Sequence, residues 1–175
     1  MIINHDKKFI FIHVPKTGGC SIKAVLHGEL ERHGSHRTIR NLHFNTDDYF
    51  KFGFVRNPWD RMCSLYHFCI QKPKKNTGFN QSFIDNGFKQ TLMKGFDSGQ
   101  VDAMKWLDGC DFVCRFENFQ KDFDTACDMG NLGRYVVPVK NKSEHGDYHQ
   151  YYDSEMIDFV RDAHRQTIER FGYSF

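Results

Sequence analysis

A glycine turn after an apolar run carries side chains that suit a bound anion. The stretch FIFIHVPKTGGCSI places Lys16, Thr17 and Ser21 around the pair Gly18 and Gly19. Glycine lets the backbone approach a ligand closely, and the N–H groups and dipole of a following helix favour negative charge. A phosphate-like group fits these residues. The lysine precedes the glycines, whereas the pattern GxxxxGK[ST] places it after them, which argues against ATP or GTP hydrolysis.

A second stretch, FVRNPWDRMCSLYHF, has residues that suit another phosphate. Asn57 favours a helix N-cap and the next residue, proline, favours the first helical position, so Arg56 lies at a strand end. Ser64 is about two helical turns beyond Asn57 and shares its face. Because arginine binds phosphate through two parallel hydrogen bonds, Arg56 and Ser64 could hold one phosphate. An Arg56–Asp60 ion pair with a buried Ser64 hydroxyl fits the spacing equally well.

Hydrophobic patterns predict the elements that position these two turns. Strands are predicted at 8–14, 49–55 and 111–117, with a short extended piece at 136–139. Helices are predicted from after the glycines to an end at Gly34, from Pro58, at about 83–95 and 100–107, around Phe119, Phe123 and Ala126, and at 154–171. Strands that alternate with helices predict an α/β fold, with a central parallel sheet flanked by helices. Ligands bind at the carboxyl ends of such strands, where both turns lie.

Composition limits the classes of protein that fit. The 175 residues suit one domain, 1–175, and a net charge of +2 argues against a broad nucleic-acid surface. The N-terminus does not resemble a secretory signal, and no run approaches the ~18 apolar residues of a membrane helix, so we expect a cytoplasmic protein without a membrane anchor. Six cysteines without a CxxC pair suggest reduced thiols, and ten histidines without zinc spacing predict no metal site.

The two turns resemble, in the same order, the 5′-phosphosulfate loop and the 3′-phosphate motif of sulfotransferases. The chain is similar to sulfotransferase family 2, the carbohydrate-type sulfotransferases. Further stretches that carry the resemblance are SHRTIRN (35–41), FVCRFENFQKDF (112–123), NKSEHGDYHQYYDSEMIDFV (141–160) and FGYSF (171–175). The resemblance implies a three-layer, P-loop-like fold that uses 3′-phosphoadenosine 5′-phosphosulfate as co-substrate and needs no metal.

The resemblance also implies where this donor binds. For the 5′ end it implies Pro15, Lys16, Thr17, Gly18, Gly19, Cys20 and Ser21, and for the 3′-phosphate it implies Arg56 and Ser64. A donor with phosphate on both sides of its ribose explains why a small domain would carry two separate anion motifs. Cys20 departs from the family, which usually has threonine or serine at this position.

The implied reaction is in-line transfer of a sulfuryl group to an acceptor hydroxyl, on a saccharide or a glycosylated metabolite. Lys16 is assigned to the phosphate oxygen that gains charge as it leaves. His36 is assigned as the base that removes the acceptor proton, because the family carries a histidine two residues before a threonine. His43 and His13 are weaker candidates for the base.

Other positions keep two interpretations. Lys142 and Ser143 either close over the nucleotide or the acceptor, or belong to a solvated loop. Arg115 and Glu117 alternate at a strand end and are expected to form a structural ion pair.

Two other functions remain open on the sequence. The chain could be an ATP-dependent small-molecule kinase on a related fold, which would need magnesium and a carboxylate to hold it. It could also be a non-catalytic module that binds the nucleotide without transfer.

Overall fold

The computed structural model describes residues 1–27, 29–30, 38–71, 79–95, 101–140 and 142–175. The chain forms two compact units. The first consists of Met1–Arg56 and Ala103–Asn141, and the second consists of Asn57–Asp102 and Lys142–Phe175. The expected single domain over residues 1–175 stays a prediction beside this division.

A five-stranded sheet forms the first unit's framework. The strands are β1 (Ile2–Asn4), β2 (Phe9–Ile12), β3 (Glu29–Leu30), β4 (Phe50–Val55) and β5 (Phe112–Arg115), in the order β3-β1-β2-β4-β5. β2, β4 and β5 are the three predicted strands, and they run parallel to one another. β1 pairs antiparallel with both β2 and β3, which the hydrophobic pattern did not predict.

Helices of the first unit lie on both faces of this sheet. The helices in the described ranges are α1 (Gly19–Ile22), α2 (Pro58–Gln71), α3 (Phe79–Lys94), α4 (Met104–Leu107), α5 (Phe119–Met129), α6 (Ser154–Ala163) and α7 (Arg165–Phe171). On one face, Phe11 and Phe54 pack with Phe123 of α5. On the other, a Cβ added to Gly53 would lie 2.6 Å from Cδ2 of Leu107, so α4 packs directly against β4. The predicted α/β class with a helix-flanked sheet is confirmed.

The helix expected from the glycines to Gly34 is wrong after Ile22, and its expected end at Gly34 lies outside the described residues. α1 spans four residues and ends at Ile22, and Glu29–Leu30 forms β3 instead. The backbone of β1 offers this segment hydrogen-bond partners, with Ile2 paired to Leu30, whereas hydrophobic spacing reports only on side chains. A single helical turn has a small dipole, so α1 contributes less to anion binding than the sequence suggested.

The second unit packs α2 against α3 and α6. Its core consists of Trp59, Met62, Leu65, Tyr66, Leu92, Met156 and Val160. As predicted, α2 begins at Pro58, and the Asn57 side-chain oxygen accepts the Trp59 N–H at 3.0 Å. The Trp59 indole N–H donates to the carbonyl of Ile157 at 3.1 Å, which ties the first turn of α2 to α6.

The single helix expected at 154–171 is wrong, because the segment forms two helices, α6 and α7. The break falls at the buried residue His164, with φ −120° and ψ 26°. α7 then begins anew, and the carboxylate of Asp102 accepts both the N–H and the hydroxyl of Thr167 in its first turn. A partner 65 residues away in sequence therefore caps α7, which periodicity does not reveal.

Other boundaries shift by a few residues. α3 has non-helical backbone at Gly87, and α4 covers only the end of the helix expected at 100–107. β5 ends at Arg115, and a 3₁₀ turn over Phe116–Asn118 replaces the rest of the expected strand. Residues 136–139 have no regular secondary structure.

Candidate active site

Two left-handed backbone positions shape the turn after β2. Lys16 has φ 65° and Gly18 has φ 80°. Lys16 is the unusual one, because a residue with a Cβ in this region is strained by about 1–3 kcal/mol. A left-handed residue followed by a right-handed one turns successive N–H groups towards one point, which creates a concave anion site. The backbone of the turn therefore has a geometry that suits an anion, and anion binding there stays a prediction.

Aromatic rings pack so tightly on the two glycines that neither tolerates a side chain. A Cβ on Gly18 would lie 2.4 Å from Cε2 of Phe119. A Cβ on Gly19 would lie 2.0 Å from Cδ2 of His13, whose ring is buried beneath the turn. Non-bonded carbon atoms do not come this close, so the rings of Phe119 and His13 require glycine at both positions and fix the path of the backbone between them.

The two hydroxyls of the turn are already engaged within the first unit. Thr17 is fully buried and its Oγ1 donates to the carbonyl of Val14 at 3.0 Å, which closes the turn onto β2. Ser21 is buried, and its Oγ accepts the N–H of Lys140 at 3.0 Å. A hydroxyl that accepts in this way still has its own proton to donate, so Ser21 keeps the chemistry needed for a phosphate oxygen.

Arg56 contacts the strained turn directly. Its Nη1 donates to the main-chain carbonyl of Lys16 at 3.0 Å. Its guanidinium lies over the ring of Phe116, 4.2 Å from the ring centre, and the residue is 9% exposed. The parallel pairing of Val55 with Arg115 explains the contact between Arg56 and Phe116, because these two residues directly follow the paired strand ends.

The predicted residues of the first unit therefore lie together at one edge of the sheet. Pro15 and Gly19 are buried, Lys16 is half-buried, and Cys20 is exposed beside them. Arg56 joins this group through the Lys16 carbonyl. The arrangement places two cationic side chains and a turn with left-handed backbone next to one another.

Ser64 and Ser143, both in the second unit, form a buried hydroxyl pair. Their Oγ atoms are 2.9 Å apart, and the residues are 2% and 8% exposed. Lys142, which precedes Ser143, is exposed. Ser143 is thus not part of a solvated loop, whereas the contact of either serine with a donor stays a prediction.

The segment 143–146 lies along one face of α2. Beyond the serine pair, the side-chain amide of Gln71 donates to the carbonyl of Glu144 and accepts its N–H at 3.1 Å. The rings of His67 and His145 stack with centres 5.1 Å apart. Burial, and to a lesser extent the charge of His145, lowers the pKa of His67. Ser64, His67 and Gln71 share a helix face, which explains why one segment meets all three.

Of the three histidines considered as the base, His36 lies outside the described residues. His43 is exposed, and His13 is 7% exposed with its ring against Gly19. His13 therefore supports the turn from below, and His36 stays a prediction from the sequence. The predicted Arg115–Glu117 ion pair also stays a prediction, with Glu117 now in a 3₁₀ turn and the N–H of Arg115 bonded to Asp122 at 2.7 Å.

Three residues next to the turn were missed as site residues. Phe116 and Phe119 belong to FVCRFENFQKDF, which was recognised as a family signature but given no role in the site. Their position directly after a parallel strand could have indicated that they line the same sheet edge. Lys140 reaches Ser21 through its main-chain N–H, for which no side-chain pattern exists.

The described residues contain no group of three potential metal ligands from His, Cys, Asp and Glu. Among the helices in the same ranges, none is both long and apolar enough to cross a membrane. These findings concern the described ranges alone.

In this α/β fold, Lys16, Arg56 and the turn with left-handed backbone all lie at the ends of parallel strands. These are features of a group-transfer enzyme that holds an anionic donor. The profile described as Sulfotransferase family matches residues 1–174, and the chain belongs to sulfotransferase family 2. This membership supports a transferase that acts in sulfuryl transfer, with a hydroxyl-bearing acceptor. Neither the curated proteins nor the solved structures give a match.

Proposed function

We propose that this protein transfers a sulfuryl group from 3′-phosphoadenosine 5′-phosphosulfate to a hydroxyl of a saccharide or a glycosylated metabolite. The observation that carries the proposal is the contact between the two anion motifs, since Arg56 of the second bonds the carbonyl of Lys16 in the first. The whole-length family match supports the reaction class. The location in the cytoplasm stays a prediction.

The residues of the turn bind the 5′ end of the donor. Backbone N–H groups from Lys16 to Cys20 and the hydroxyl of Ser21 face the 5′-phosphosulfate in this proposal, and the guanidinium of Arg56 binds the 3′-phosphate. We keep Ser64, Lys142 and Ser143 as further donor-binding residues. Because the Thr17 hydroxyl bonds Val14, Thr17 contributes through its N–H.

The donor supplies the sulfuryl group, whose bond to the 5′-phosphate oxygen breaks as a bond from sulfur to the acceptor oxygen forms. Lys16 neutralises the charge that develops on the departing phosphate oxygen. His36 takes the acceptor proton, and positioning with charge neutralisation provides most of the rate, as in phosphoryl transfer.

The test of transfer uses labelled donor and a panel of hydroxyl acceptors that includes mono- and oligosaccharides. We expect Lys16→Ala to lower turnover by about a hundredfold or more, in the range found for removal of one transition-state donor. Lys121→Ala, an exposed lysine of α5, is the matched control and should keep full turnover. Equal turnover in Lys16→Ala and wild type would refute the role of Lys16, and no transfer to any acceptor would favour a binding module.

A second test separates this function from a kinase. Calorimetry should show binding of adenosine 3′,5′-bisphosphate without metal and much weaker binding of ATP with magnesium. The reverse order would favour phosphoryl transfer.

A third test concerns the base. His36→Ala should lower turnover while bisphosphate affinity is kept, and His43→Ala is its control. If His43→Ala is the inactive variant, the base is misassigned.

A further inference from the structure

We propose that Arg56 is a positioning residue for Lys16, in addition to any contact it makes with the donor. This inference rests on the proposed function for the role of Lys16. Arg56 holds the main-chain carbonyl of Lys16 and thereby maintains the left-handed backbone from which the lysine side chain projects.

The need for such a residue follows from the conformation of Lys16. A non-glycine residue with φ 65° is strained, and it persists only where the surrounding structure holds it. Thr17 fixes the turn on one side through Val14, and Gly18 is held on the other by Phe119. The bond from Arg56 acts on Lys16 itself, because the direction of the Lys16 carbonyl depends on the backbone angles of Lys16.

The surroundings of Arg56 suit this task. The residue is buried, and the ring of Phe116 lies 4.2 Å below the guanidinium, which restricts the plane of the charged group. A guanidinium has five N–H donors in a rigid fork, and Nη1 of this fork holds the carbonyl of Lys16. A lysine ammonium keeps the charge but lacks both the planar stack and the fork, and this difference makes the role testable.

A positioning role and a purely phosphate-binding role predict different kinetics. Loss of a phosphate contact made equally in the ground and transition states raises KM and leaves kcat unchanged. Loss of the correct position of Lys16 lowers kcat even when donor is saturating, since displacement of a reacting group by about 1 Å can cost about a hundredfold. Hydrogen exchange of the turn amides reports the same change without turnover.

The experiment compares Arg56→Lys and Phe116→Leu with wild type, and uses Arg134→Lys as control. Arg134 is an exposed arginine of the same unit that pairs with Asp128. We expect Arg56→Lys to lower kcat about 10- to 100-fold and to change the Kd of adenosine 3′,5′-bisphosphate by less than about fivefold. We also expect faster exchange in the nucleotide-free protein at Ser21–Lys23, whose amides close the turn by bonding the carbonyls of Gly18 and Gly19. Phe116→Leu should also lower kcat and speed exchange, by smaller factors than Arg56→Lys, and Arg134→Lys should change neither kcat nor exchange.

Unchanged kcat and unchanged exchange in Arg56→Lys, with a raised Kd and KM, would overturn the inference and leave Arg56 as a phosphate ligand alone. If Arg56→Lys does not fold, Phe116→Leu decides by the same two measurements. If wild type transfers no sulfate, the proposed function fails, and the exchange rates at Ser21–Lys23 still decide whether Arg56 holds the turn.

Discussion

Side chains of the first turn are largely engaged in holding its shape. Thr17 donates to Val14, Ser21 accepts from Lys140, and Arg56 donates to the carbonyl of Lys16. Such bonds fix the directions of the groups that remain available, and preorganised groups stabilise developing charge without rearrangement during the reaction.

Cys20 should react with iodoacetamide at least tenfold faster than Cys114 and Cys127. Cys20 is exposed, whereas the other two are buried. Burial raises the pKa of Cys127 to about 11 and raises the pKa of Cys114 further, and the thiolate is the reactive form. Adenosine 3′,5′-bisphosphate should protect Cys20, as measured by mass spectrometry of labelled peptides. Equal labelling with and without nucleotide would place Cys20 away from the donor.

Gly19→Ala should weaken bisphosphate binding at least tenfold, because its Cβ would lie 2.0 Å from Cδ2 of His13. Overpacking of this kind typically lowers the free energy of unfolding by about 1–3 kcal/mol. Replacing His13 by serine in the same protein should restore part of the affinity, so that the two changes are non-additive in calorimetry. Gly146→Ala is the control, since its Cβ would meet no atom closer than 3.5 Å. Wild-type affinity in Gly19→Ala would show that the turn repacks.

At the scale of elements, α2 serves as a platform for the segment 143–146. The segment runs along a face that presents Ser64, His67 and Gln71, and each of these side chains meets it. The helix itself starts at an asparagine cap and is held by its apolar face, so it provides a rigid base for a segment without regular structure.

Gln71→Ala should loosen this segment, because it removes both hydrogen bonds to Glu144. We expect a loss of about 1–2 kcal/mol in the free energy of unfolding and faster hydrogen exchange at 143–146. If Lys142 and Ser143 bind the donor, bisphosphate affinity should fall as well. Gln90→Ala, an exposed glutamine of α3, is the control. Faster exchange with unchanged affinity would show that the segment is structural, and unchanged exchange would contradict the platform.

At the scale of the whole molecule, protonation of a buried histidine should limit stability in mild acid. His164 is 1% exposed, and among the described residues neither of its ring nitrogens has a hydrogen-bond partner. Burial chiefly, together with the charge of Arg61, lowers the pKa of His164 to about 3, although Asp102 acts in the opposite sense. The folded state therefore favours the neutral ring, whereas the unfolded chain binds the proton at its ordinary pKa of about 6.5.

The sign of the effect follows from this difference. The stabilisation is complete above pH 6.5 and is lost as the pH falls towards the folded pKa, because the unfolded state then binds more protons. Between pH 7.5 and pH 5 we expect a loss of about 2 kcal/mol in the free energy of unfolding from this residue. Urea titrations of wild type and His164→Leu should show a flatter pH dependence in the variant. Parallel pH profiles would mean that other groups cause the acid sensitivity.

Local patterns predicted the elements whose partners are close in sequence. The apolar runs of β2, β4 and β5 are long enough to be recognised, and their parallel pairing follows from the alternation with helices. The start of α2 follows from Asn57 and Pro58, because a cap acts within three residues. β3 and the separate start of α7 after His164 were not predicted, because Ile2 pairs with Leu30 of β3 and Asp102 bonds Thr167 of α7 from distant parts of the chain.

The sequence by itself determined the family, the α/β class and the two anion motifs, because these depend on residue types at fixed local spacing. The tertiary structure decided what each side chain does. It showed that Arg56 bonds the carbonyl of Lys16, that His13 and Phe119 pack against the glycines, and that Ser64 pairs with Ser143. Apart from the packing of His13 on nearby Gly19, these contacts join residues far apart in the chain, and only the folded backbone brings their atoms together.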